Sequence, residues 1–328
     1  MSEPLLSVRD LRVSFPTTDR RVITAVDGVS FDVAAGRTLC IVGESGCGKS
    51  VTSLAIMGLL PKGAADVTGA VRFDGADLLA LPDRALRDLR GDRLAMIFQE
   101  PMTSLNPSHR IGDQIAEAIL RHRRVTREEA GRRAVEMLRR VHIPEPEARA
   151  RDYPHQLSGG MRQRAMIAMA LALDPRLLIA DEPTTALDVT IQAQILDLLR
   201  ELKRESGAAV ILITHDLGVV AEIADEVAVM YAGEIVERAP ASELFTMPQH
   251  PYTLGLLGSL PRLAEKRERL AAIPGAVPNM AALPQGCRFA ARCPFAMEAC
   301  RRESPRLVDI APGHASRCLR APLEKLAA

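Results

Sequence analysis

A glycine-rich stretch near the start of the chain has the residue types and spacing of a phosphate-binding loop. It reads Gly-Glu-Ser-Gly-Cys-Gly-Lys-Ser from Gly43 to Ser50, which fits the pattern of Gly, four residues, then Gly-Lys-Ser. Glycines let backbone N–H groups turn toward a polyphosphate, Lys49 supplies a cation to the β- and γ-phosphates, and the Ser50 hydroxyl can ligate Mg²⁺. The apolar run Thr38–Val42 precedes the loop and a helical pattern over Ser50–Leu60 follows it, so a helix N-terminus adds to the anion site. The predicted nucleotide-binding residues are Gly43, Glu44, Ser45, Gly46, Cys47, Gly48, Lys49 and Ser50.

Two adjacent carboxylates follow an apolar run later in the chain. Leu177–Ala180 has the composition of a buried strand, and Asp181 and Glu182 come directly after it. A carboxylate at the carboxyl end of a strand, beside a phosphate loop, is placed to hold Mg²⁺. We therefore predict Asp181 as a magnesium ligand and Glu182 as the group that polarises the attacking water. An Asp-Glu pair after an apolar strand is a weak signal by itself, and it becomes a strong one in a chain that also contains a phosphate loop.

A serine and two glycines open a predicted helix between these two motifs. The segment reads Leu-Ser-Gly-Gly-Met-Arg-Gln-Arg from Leu157 to Arg164. Ser158, Gly159 and Gly160 present a hydroxyl and free backbone N–H groups to an anion, and the alternative is a serine N-cap without a ligand. The segment closely resembles the signature sequence of ABC ATPases, and the resemblance covers residues 5–260. It implies an α/β fold of the P-loop NTPase (RecA-like) type, in which the signature acts on ATP held by the opposite subunit of a dimer.

The resemblance also assigns residues that no motif reveals alone. Gln99 matches the glutamine that contacts Mg²⁺ and the lytic water, and Ala186-Leu187-Asp188 matches the loop that crosses the dimer interface. His215 matches the histidine that touches the γ-phosphate. Phe15 stands where the family has an aromatic ring on adenine, with a place in the core as the alternative. The implied catalytic residues are Glu182, His215 and Gln99, and the implied magnesium ligands are Ser50, Gln99 and Asp181.

The apolar pattern places these residues on alternating strands and helices, which indicates a mainly parallel sheet covered by helices. Predicted strands lie at Leu6–Val13, Gly28–Val33, Thr38–Val42, Val71–Phe73, Leu94–Phe98, Leu177–Ala180, Ala209–Thr214, Glu226–Met230 and Glu234–Arg238. Predicted helices lie at Ser50–Leu60, Ile111–Leu120, Thr126–Val141, Met161–Leu173, Thr190–Ser206 and Leu217–Ala224. We expect an ABC ATPase domain over residues 1–261, with a helical subdomain inserted at about residues 100–165, and a small C-terminal Cys-rich module over residues 262–328.

Two further segments indicate a branch of the family. Met-Thr-Ser-Leu-Asn-Pro spans residues 102–107, and His-Pro-Tyr-Thr spans residues 250–253. Together with the late cysteines they resemble the dipeptide and oligopeptide permease ATPases, and Ile56–Pro61 suggests the first of the two paralogous subunits. The resemblance implies ATP-driven import of peptides or a related small solute. The implied partners are an identical or paralogous ATPase subunit, two transmembrane permease subunits, and an external substrate-binding protein that acts through the permease.

Four of the six cysteines lie close together near the end of the chain, at Cys287, Cys293, Cys300 and Cys318. A reducing compartment disfavours structural disulfides, so the group indicates a metal site. None has the two-residue spacing usual in zinc ribbons, and Cys293 precedes a proline, as in some iron–sulfur ligand runs. The family resemblance favours a [4Fe–4S] cluster here, with Zn²⁺ or simple buried thiols as the alternatives.

The composition limits the remaining classes of function. The formal net charge is +1, with 47% hydrophobic and 25% charged residues, so bulk charge does not favour nucleic acid as a partner. No segment approaches the roughly 20 apolar residues of a membrane span, and the first residues lack a secretory signal. We expect a peripheral protein at the cytoplasmic face of the inner membrane. The rival hypothesis is a soluble ABC ATPase acting on DNA or ribosomes, which usually carries two cassettes, a long coiled coil or an inserted zinc module. A regulatory iron–sulfur protein with a vestigial ATPase is excluded because every catalytic element is present.

Overall fold

The computed structural model describes residues 3–17, 21–100, 104–185, 188–259 and 273–326. They divide into two compact units. The first unit contains Val33–Arg37, Asp74–Ile213 and the residues up to Leu5. The second contains Leu6–Asp32, Thr38–Phe73 and the chain from Thr214 onward.

Strands and helices alternate through most of the described chain, as the apolar pattern predicts. The strands are β1 (Leu6–Pro16), β2 (Val22–Val33), β3 (Thr38–Val42), β4 (Asp66–Phe73), β5 (Ala76–Asp77), β6 (Leu94–Ile97), β7 (Leu177–Asp181), β8 (Ala209–Ile213), β9 (Glu226–Tyr231), β10 (Glu234–Pro240), β11 (Val308–Ala311) and β12 (His314–Ser316). The α-helices are α1 (Lys49–Ile56), α2 (Asp83–Leu89), α3 (Ile111–His122), α4 (Arg127–Arg140), α5 (Pro146–Arg149), α6 (Gly159–Leu171), α7 (Val189–Ser206), α8 (Leu217–Ile223), α9 (Ala241–Thr246), α10 (Pro251–Gly258) and α11 (Glu298–Arg302). Short 3₁₀ turns lie at Pro154–Gln156 and Leu323–Leu326.

The first unit is built on three parallel strands, in the order β6-β7-β8. Leu94 pairs with Leu177, and Leu177 in turn pairs with Ala209. Every residue of these strands is buried, which explains why they read as continuous apolar runs instead of alternating ones. The register also aligns their carboxyl ends, because Ile97 lies beside Ala180 and Asp181 beside Ile213.

The chain of the first unit is helical in the segment that connects β6 to β7 in the sequence. Residues 104–173, all of them described, contain no strand, which confirms the predicted run of helices. In α4 the buried residues Ala130, Ala134, Met137 and Leu138 recur at helical spacing, so one face packs inward. The Thr126 hydroxyl accepts a hydrogen bond from the Glu129 N–H and begins this helix.

The second unit contains a mixed sheet and an antiparallel pair. β3 pairs in parallel with β9, with Cys40 opposite Val227. β9, β10, β12 and β11 then follow one another in antiparallel order. Separately, β1 pairs with β4, with Val8 opposite Val71.

The structure differs from the predicted elements in several places. The helix after the phosphate loop ends at Ile56 and not at Leu60, because Gly58 takes a left-handed φ of +61° soon after. The helices α9 and α10 and the hairpin β11–β12 are too short to give a periodic signal. The predicted division near Pro261 lies outside the described residues, and the described residues on either side of it belong to the same compact unit.

Candidate active site

The loop Gly43–Ser50 connects β3 to α1 in the second unit. Gly43 and Gly48 have φ values of +152° and +104°, and neither has room for a side chain. A Cβ on Gly43 would lie 2.2 Å from the Met230 carbonyl oxygen, and a Cβ on Gly48 would lie 2.4 Å from the Ala25 carbonyl oxygen. Only glycine therefore allows this path, in which the loop backbone presses against the neighbouring chain.

The side chain of Lys49 lies inside the loop, and the residue is only 5% exposed. Its ammonium group donates to the Gly43 carbonyl at 2.8 Å and to the Glu44 carbonyl at 3.1 Å. Ser50 follows as the second residue of α1, at the helix end that favours anions. Burial raises the pKa of the Cys47 thiol, which stays neutral and gives the loop no nucleophile of its own. Ser45 and Gly46 are exposed at the loop tip.

A strand, a glycine-rich loop with an inward lysine and a helix, in that order, are what P-loop NTPases share. The second unit therefore has the geometry of a P-loop nucleotide-binding domain.

In the first unit, the predicted catalytic side chains meet at the end of β7. Asp181 is the last residue of the strand and is 4% exposed. The Glu182 carboxylate accepts a hydrogen bond from Gln99 Nε2 at 3.2 Å and one from Thr185 Oγ1 at 2.7 Å. The strand register explains this arrangement, since Gln99 follows β6 and Glu182 follows β7. Thr185 was not predicted, because a lone threonine carries no pattern.

The Glu182 backbone is held in an unusual conformation, with φ at +45°. Its N–H donates to the Ile213 carbonyl at 2.9 Å, so the end of β8 fixes it. A non-glycine residue in the left-handed region costs free energy and marks functional sites more often than others. Two hydrogen-bond donors and a strained backbone therefore fix the orientation of the Glu182 carboxylate.

The predicted signature residues and Asp188 begin two helices of the first unit. The Ser158 hydroxyl accepts from the Met161 N–H at 3.3 Å at the start of α6, and Asp188 Oδ1 accepts from the Ile191 N–H at 3.0 Å at the start of α7. A Cβ on Gly160 would lie 3.0 Å from the Ile191 side chain, so the two helix starts are neighbours. Gly159, by contrast, has open space around it. Ala186 and Leu187 lie outside the described residues, as do Met102 and Thr103.

The two remaining predicted contacts, Phe15 and His215, belong to the second unit. Phe15 is the second-last residue of β1 and is half-buried. His215 is exposed and follows Thr214, whose backbone N–H donates to the Ile41 carbonyl at 3.3 Å. Asp216 then caps α8 by accepting from the N–H groups of Gly218 and Val219.

The four late cysteines line one small, apolar cavity in the second unit. Phe289 and His250 also line it, and all six cysteines of the chain are free of disulfides. Burial raises the pKa of Cys287 to about 11 and also raises the pKa of Cys293 and of Cys318. Within the described residues, no group of three or more His, Cys, Asp or Glu side chains is arranged to hold a metal ion.

Comparisons with known proteins identify the family of the chain. A family model described as ABC transporter matches residues 26–185, and one described as the C-terminal region of oligopeptide/dipeptide transporters matches residues 236–300. The chain is 58% identical over 319 residues to the probable peptide ABC transporter ATP-binding protein y4tR of Sinorhizobium fredii, covering 97% of this chain and 95% of the relative. It is 54% identical over 317 residues to the dipeptide transport ATP-binding protein DppD of Bacillus subtilis, covering 96% and 94% of the two chains.

A solved structure is also similar. The dimeric ATP-binding cassette MJ0796, bound to ADP and phosphate, matches with a TM-score of 0.64 and 28% identity, covering 72% of this chain and 98% of that one. The chain belongs to the family of peptide ABC transporter ATP-binding proteins. None of its described helices is long and apolar enough to cross a membrane.

Proposed function

We propose that the chain hydrolyses ATP to drive the import of dipeptides or oligopeptides through a partner ABC permease. The observation that carries the proposal is the match over nearly the whole chain to peptide-import ATP-binding proteins. It is supported by the Glu182 carboxylate, which two hydrogen-bond donors hold at the end of β7.

In this proposal the loop Gly43–Ser50 binds the ATP phosphates, and Phe15 stacks on the adenine. Ser50, Gln99 and Asp181 would hold Mg²⁺ through the oxygen ligands that it prefers, and the bound ion would supply positive charge against the β- and γ-phosphates. Glu182 orients the attacking water, while Gln99 and Thr185 hold its carboxylate. His215 contacts the γ-phosphate.

The active form is a dimer with an identical or paralogous subunit. Ser158–Gly160 and Asp188 of one subunit close over the ATP bound by the other. MJ0796, a cassette of similar fold, is dimeric. ATP binds the closed state more tightly than the open one, and this difference in affinity drives the cycle.

The partners on the membrane side are two transmembrane permease subunits, supplied by an external substrate-binding protein. The ATPase domain covers residues 1–261, and its inserted helices transmit closure to the permease. The chain then lies peripherally at the cytoplasmic face of the inner membrane, and no nucleic acid takes part.

For the four late cysteines we propose a [4Fe–4S] cluster, which the family resemblance favours, with Zn²⁺ or simple buried thiols as the alternatives. A four-iron cluster is a larger body that four thiolates surround, and all four cysteines line one cavity. When bound, the cluster would crosslink the chain around Cys287, Cys293, Cys300 and Cys318.

Co-purification tests the proposal against a soluble ABC ATPase acting on DNA or ribosomes. The tagged full-length chain, isolated from detergent-solubilised membranes, should carry hydrophobic permease subunits in a fixed ratio and show ATPase activity. Recovery with ribosomes or DNA, and without membrane subunits, would support the rival function.

A further inference from the structure

One arginine of the cysteine-rich region, the segment that contains the four late cysteines, contacts the phosphate loop. Arg292 directly precedes Cys293, and its side chain is 5% exposed. Its guanidinium donates to both oxygens of the Glu44 carboxylate, from Nη1 at 2.6 Å and from Nη2 at 2.8 Å. Glu44 is the second residue of the phosphate loop, so this bidentate pair joins residues far apart in the sequence within the second unit.

The guanidinium leaves none of its five N–H donors without an acceptor. Its Nε donates to the Pro274 carbonyl at 3.0 Å, while the other hydrogens of Nη1 and Nη2 point to the Tyr231 hydroxyl at 3.3 Å and the Ile273 carbonyl at 3.3 Å. The rings of Tyr231 and Phe289 lie 5.7 and 5.9 Å away. Because every donor of the planar guanidinium has an acceptor, the group has a single orientation and fixes the position of the Glu44 carboxylate.

The same region also holds the Glu44 backbone. The Glu44 N–H donates to the Tyr252 hydroxyl at 2.8 Å. Tyr252 is fully buried, and its ring packs against Tyr231 at 4.7 Å and Phe289 at 5.4 Å. Phe289 in turn lines the cavity of the four cysteines. The His-Pro-Tyr-Thr segment therefore places a hydroxyl at the loop.

Glu44 is thus fixed at three points. Arg292 holds its carboxylate, Tyr252 accepts from its N–H, and its carbonyl accepts from the Lys49 ammonium at 3.1 Å. The carbonyl contact matters most, because Lys49 is the cation that the loop offers to phosphate. Any movement of Glu44 changes the position of that carbonyl, and with it the position of the ammonium.

We propose that Arg292 is a positioning residue, which with Tyr252 couples the cysteine-rich region to the phosphate loop through Glu44 and so sets the affinity for ATP. The inference rests on the proposed function, since it takes ATP as the ligand of the loop. Loss of Arg292 would leave Glu44 without its buried partner and free the loop's first turn. Residues around the cysteine cavity would therefore affect nucleotide binding without touching the nucleotide.

Titration of the full-length chain with Mg²⁺ and a fluorescent ATP analogue tests the coupling. Arg292→Gln should weaken binding by about 5- to 150-fold, the usual range for coupled sites. Arg292→Lys should bind with intermediate affinity, because it keeps the charge but loses the fork. Arg317→Gln is the matched control. Arg317 directly precedes Cys318 and donates to the Ile235 and Pro305 carbonyls, contacts that lie outside the phosphate loop, so the affinity should stay within about twofold.

A double-mutant cycle shows whether Arg292 acts through Glu44. With Glu44→Gln present, adding Arg292→Gln should cause little further loss of affinity. The coupling would be contradicted if the double variant lost affinity by the product of the two single-variant losses. Wild-type affinity in Arg292→Gln would also contradict it.

Tyr252→Phe keeps the test decisive if Arg292→Gln does not fold. It retains the ring packing, deletes only the hydroxyl, and should also weaken binding. Wild-type affinity in Tyr252→Phe would overturn the role of Tyr252. Lys49→Ala separates this inference from the proposed function: if the wild type and Lys49→Ala bind the analogue equally, the ATP site itself is wrong. If only Lys49→Ala fails to bind, and Arg292→Gln binds normally, the coupling alone is wrong.

Discussion

Glu182 combines a left-handed backbone with a carboxylate that two donors hold. The left-handed backbone costs free energy, and the two hydrogen bonds restrict the motion of the carboxylate. Neither feature stabilises the preceding strand, β7. The Gln99 amide and the Thr185 hydroxyl leave the carboxylate a defined direction. This arrangement suits a group that must orient one water molecule.

Glu182→Gln should slow ATP hydrolysis by roughly two or more orders of magnitude, because the amide cannot polarise the water as a carboxylate does. Nucleotide binding should be retained, and the ATP-bound dimer should accumulate. Single-turnover hydrolysis in the assembled complex, with binding measured in parallel, checks both points. Glu201→Gln, at an exposed position of α7, is the control, and hydrolysis at the wild-type rate by Glu182→Gln would show that another group positions the water.

Gly48→Ala should disrupt the phosphate loop. A Cβ there would lie 2.4 Å from the Ala25 carbonyl oxygen at a φ of +104°, so the chain must move or bear strain of about 1–3 kcal/mol. Nucleotide affinity and the midpoint of thermal unfolding should both fall.

Gly63→Ala is the matched control for that change. Gly63 also has a positive φ, +78°, but nothing lies within 4 Å of its added Cβ. It should cost about 1–2 kcal/mol for the left-handed backbone alone and leave ATP affinity unchanged. Equal effects of the two variants would mean that backbone strain, and not the close contact, determines the loop.

The site residues that could be predicted without the family resemblance stand in a motif or beside one, whereas Gln99 and His215 were predicted from that resemblance alone. Asp181 and Glu182 follow an apolar strand, and Lys49 stands in a spaced glycine pattern. Thr185 and Arg292 could not be predicted, because their partners are set by the fold: Arg292 and Glu44 lie 248 positions apart. A lone threonine or arginine has no periodicity to signal such a contact.

At the scale of elements, the start of a helix carries much of the chemistry. The loop leads into α1, Ser158 caps α6, and Asp188 caps α7. A helix N-terminus offers unpaired N–H groups and a partial positive charge to an anion. The starts of α1 and α6 are therefore suited to phosphate, whereas the start of α7 already holds the Asp188 carboxylate.

Ser158→Arg should abolish hydrolysis by the dimer without weakening nucleotide binding to the loop of the same chain. It also removes a helix cap, which costs about 1 kcal/mol. Thr126→Ala is the control, since Thr126 caps α4 in the same way and lies outside the signature; it should lower stability alike and leave hydrolysis intact. A large loss of affinity in the isolated Ser158→Arg chain would mean that the signature serves its own site.

The elements themselves were predictable where they are long or wholly apolar. The strands β3, β7 and β8 are fully buried and have five residues each, all apolar except Thr38 and Asp181, and α4 and α7 show clear helical spacing. Strand β12 was missed because its three residues, although buried, are too few to show a period, and strand β11 was missed because Val308, Asp309 and Ala311 are not buried. A strand without a buried face has no alternation to detect.

At the scale of the whole molecule, the second unit combines the phosphate loop with the four cysteines. The apolar cavity offers thiols and few other polar groups, and it has no redox partner among its lining residues. A cluster there would act as a crosslink that stabilises the surrounding chain.

Cys293→Ser should remove iron and visible colour from anaerobically purified protein, which in the wild type should hold about four irons per chain. Cys47→Ser is the control, because Cys47 lies in the phosphate loop. The iron content of this variant should equal that of the wild type. Colourless wild-type protein with about one zinc per chain would indicate a Cys₄ zinc site instead. Protein with neither metal would indicate buried thiols.

The central claim is that ATP hydrolysis by this chain drives peptide uptake. It is tested most directly by the complex of the chain with its permease subunits and binding protein, reconstituted in vesicles with a labelled dipeptide and a labelled oligopeptide. We expect accumulation of at least one peptide that requires Mg²⁺-ATP on the side of the ATPase subunits, and none with Glu182→Gln. Peptide uptake that continues with Glu182→Gln, or ATP hydrolysis by the wild-type complex that moves neither peptide, would contradict the claim.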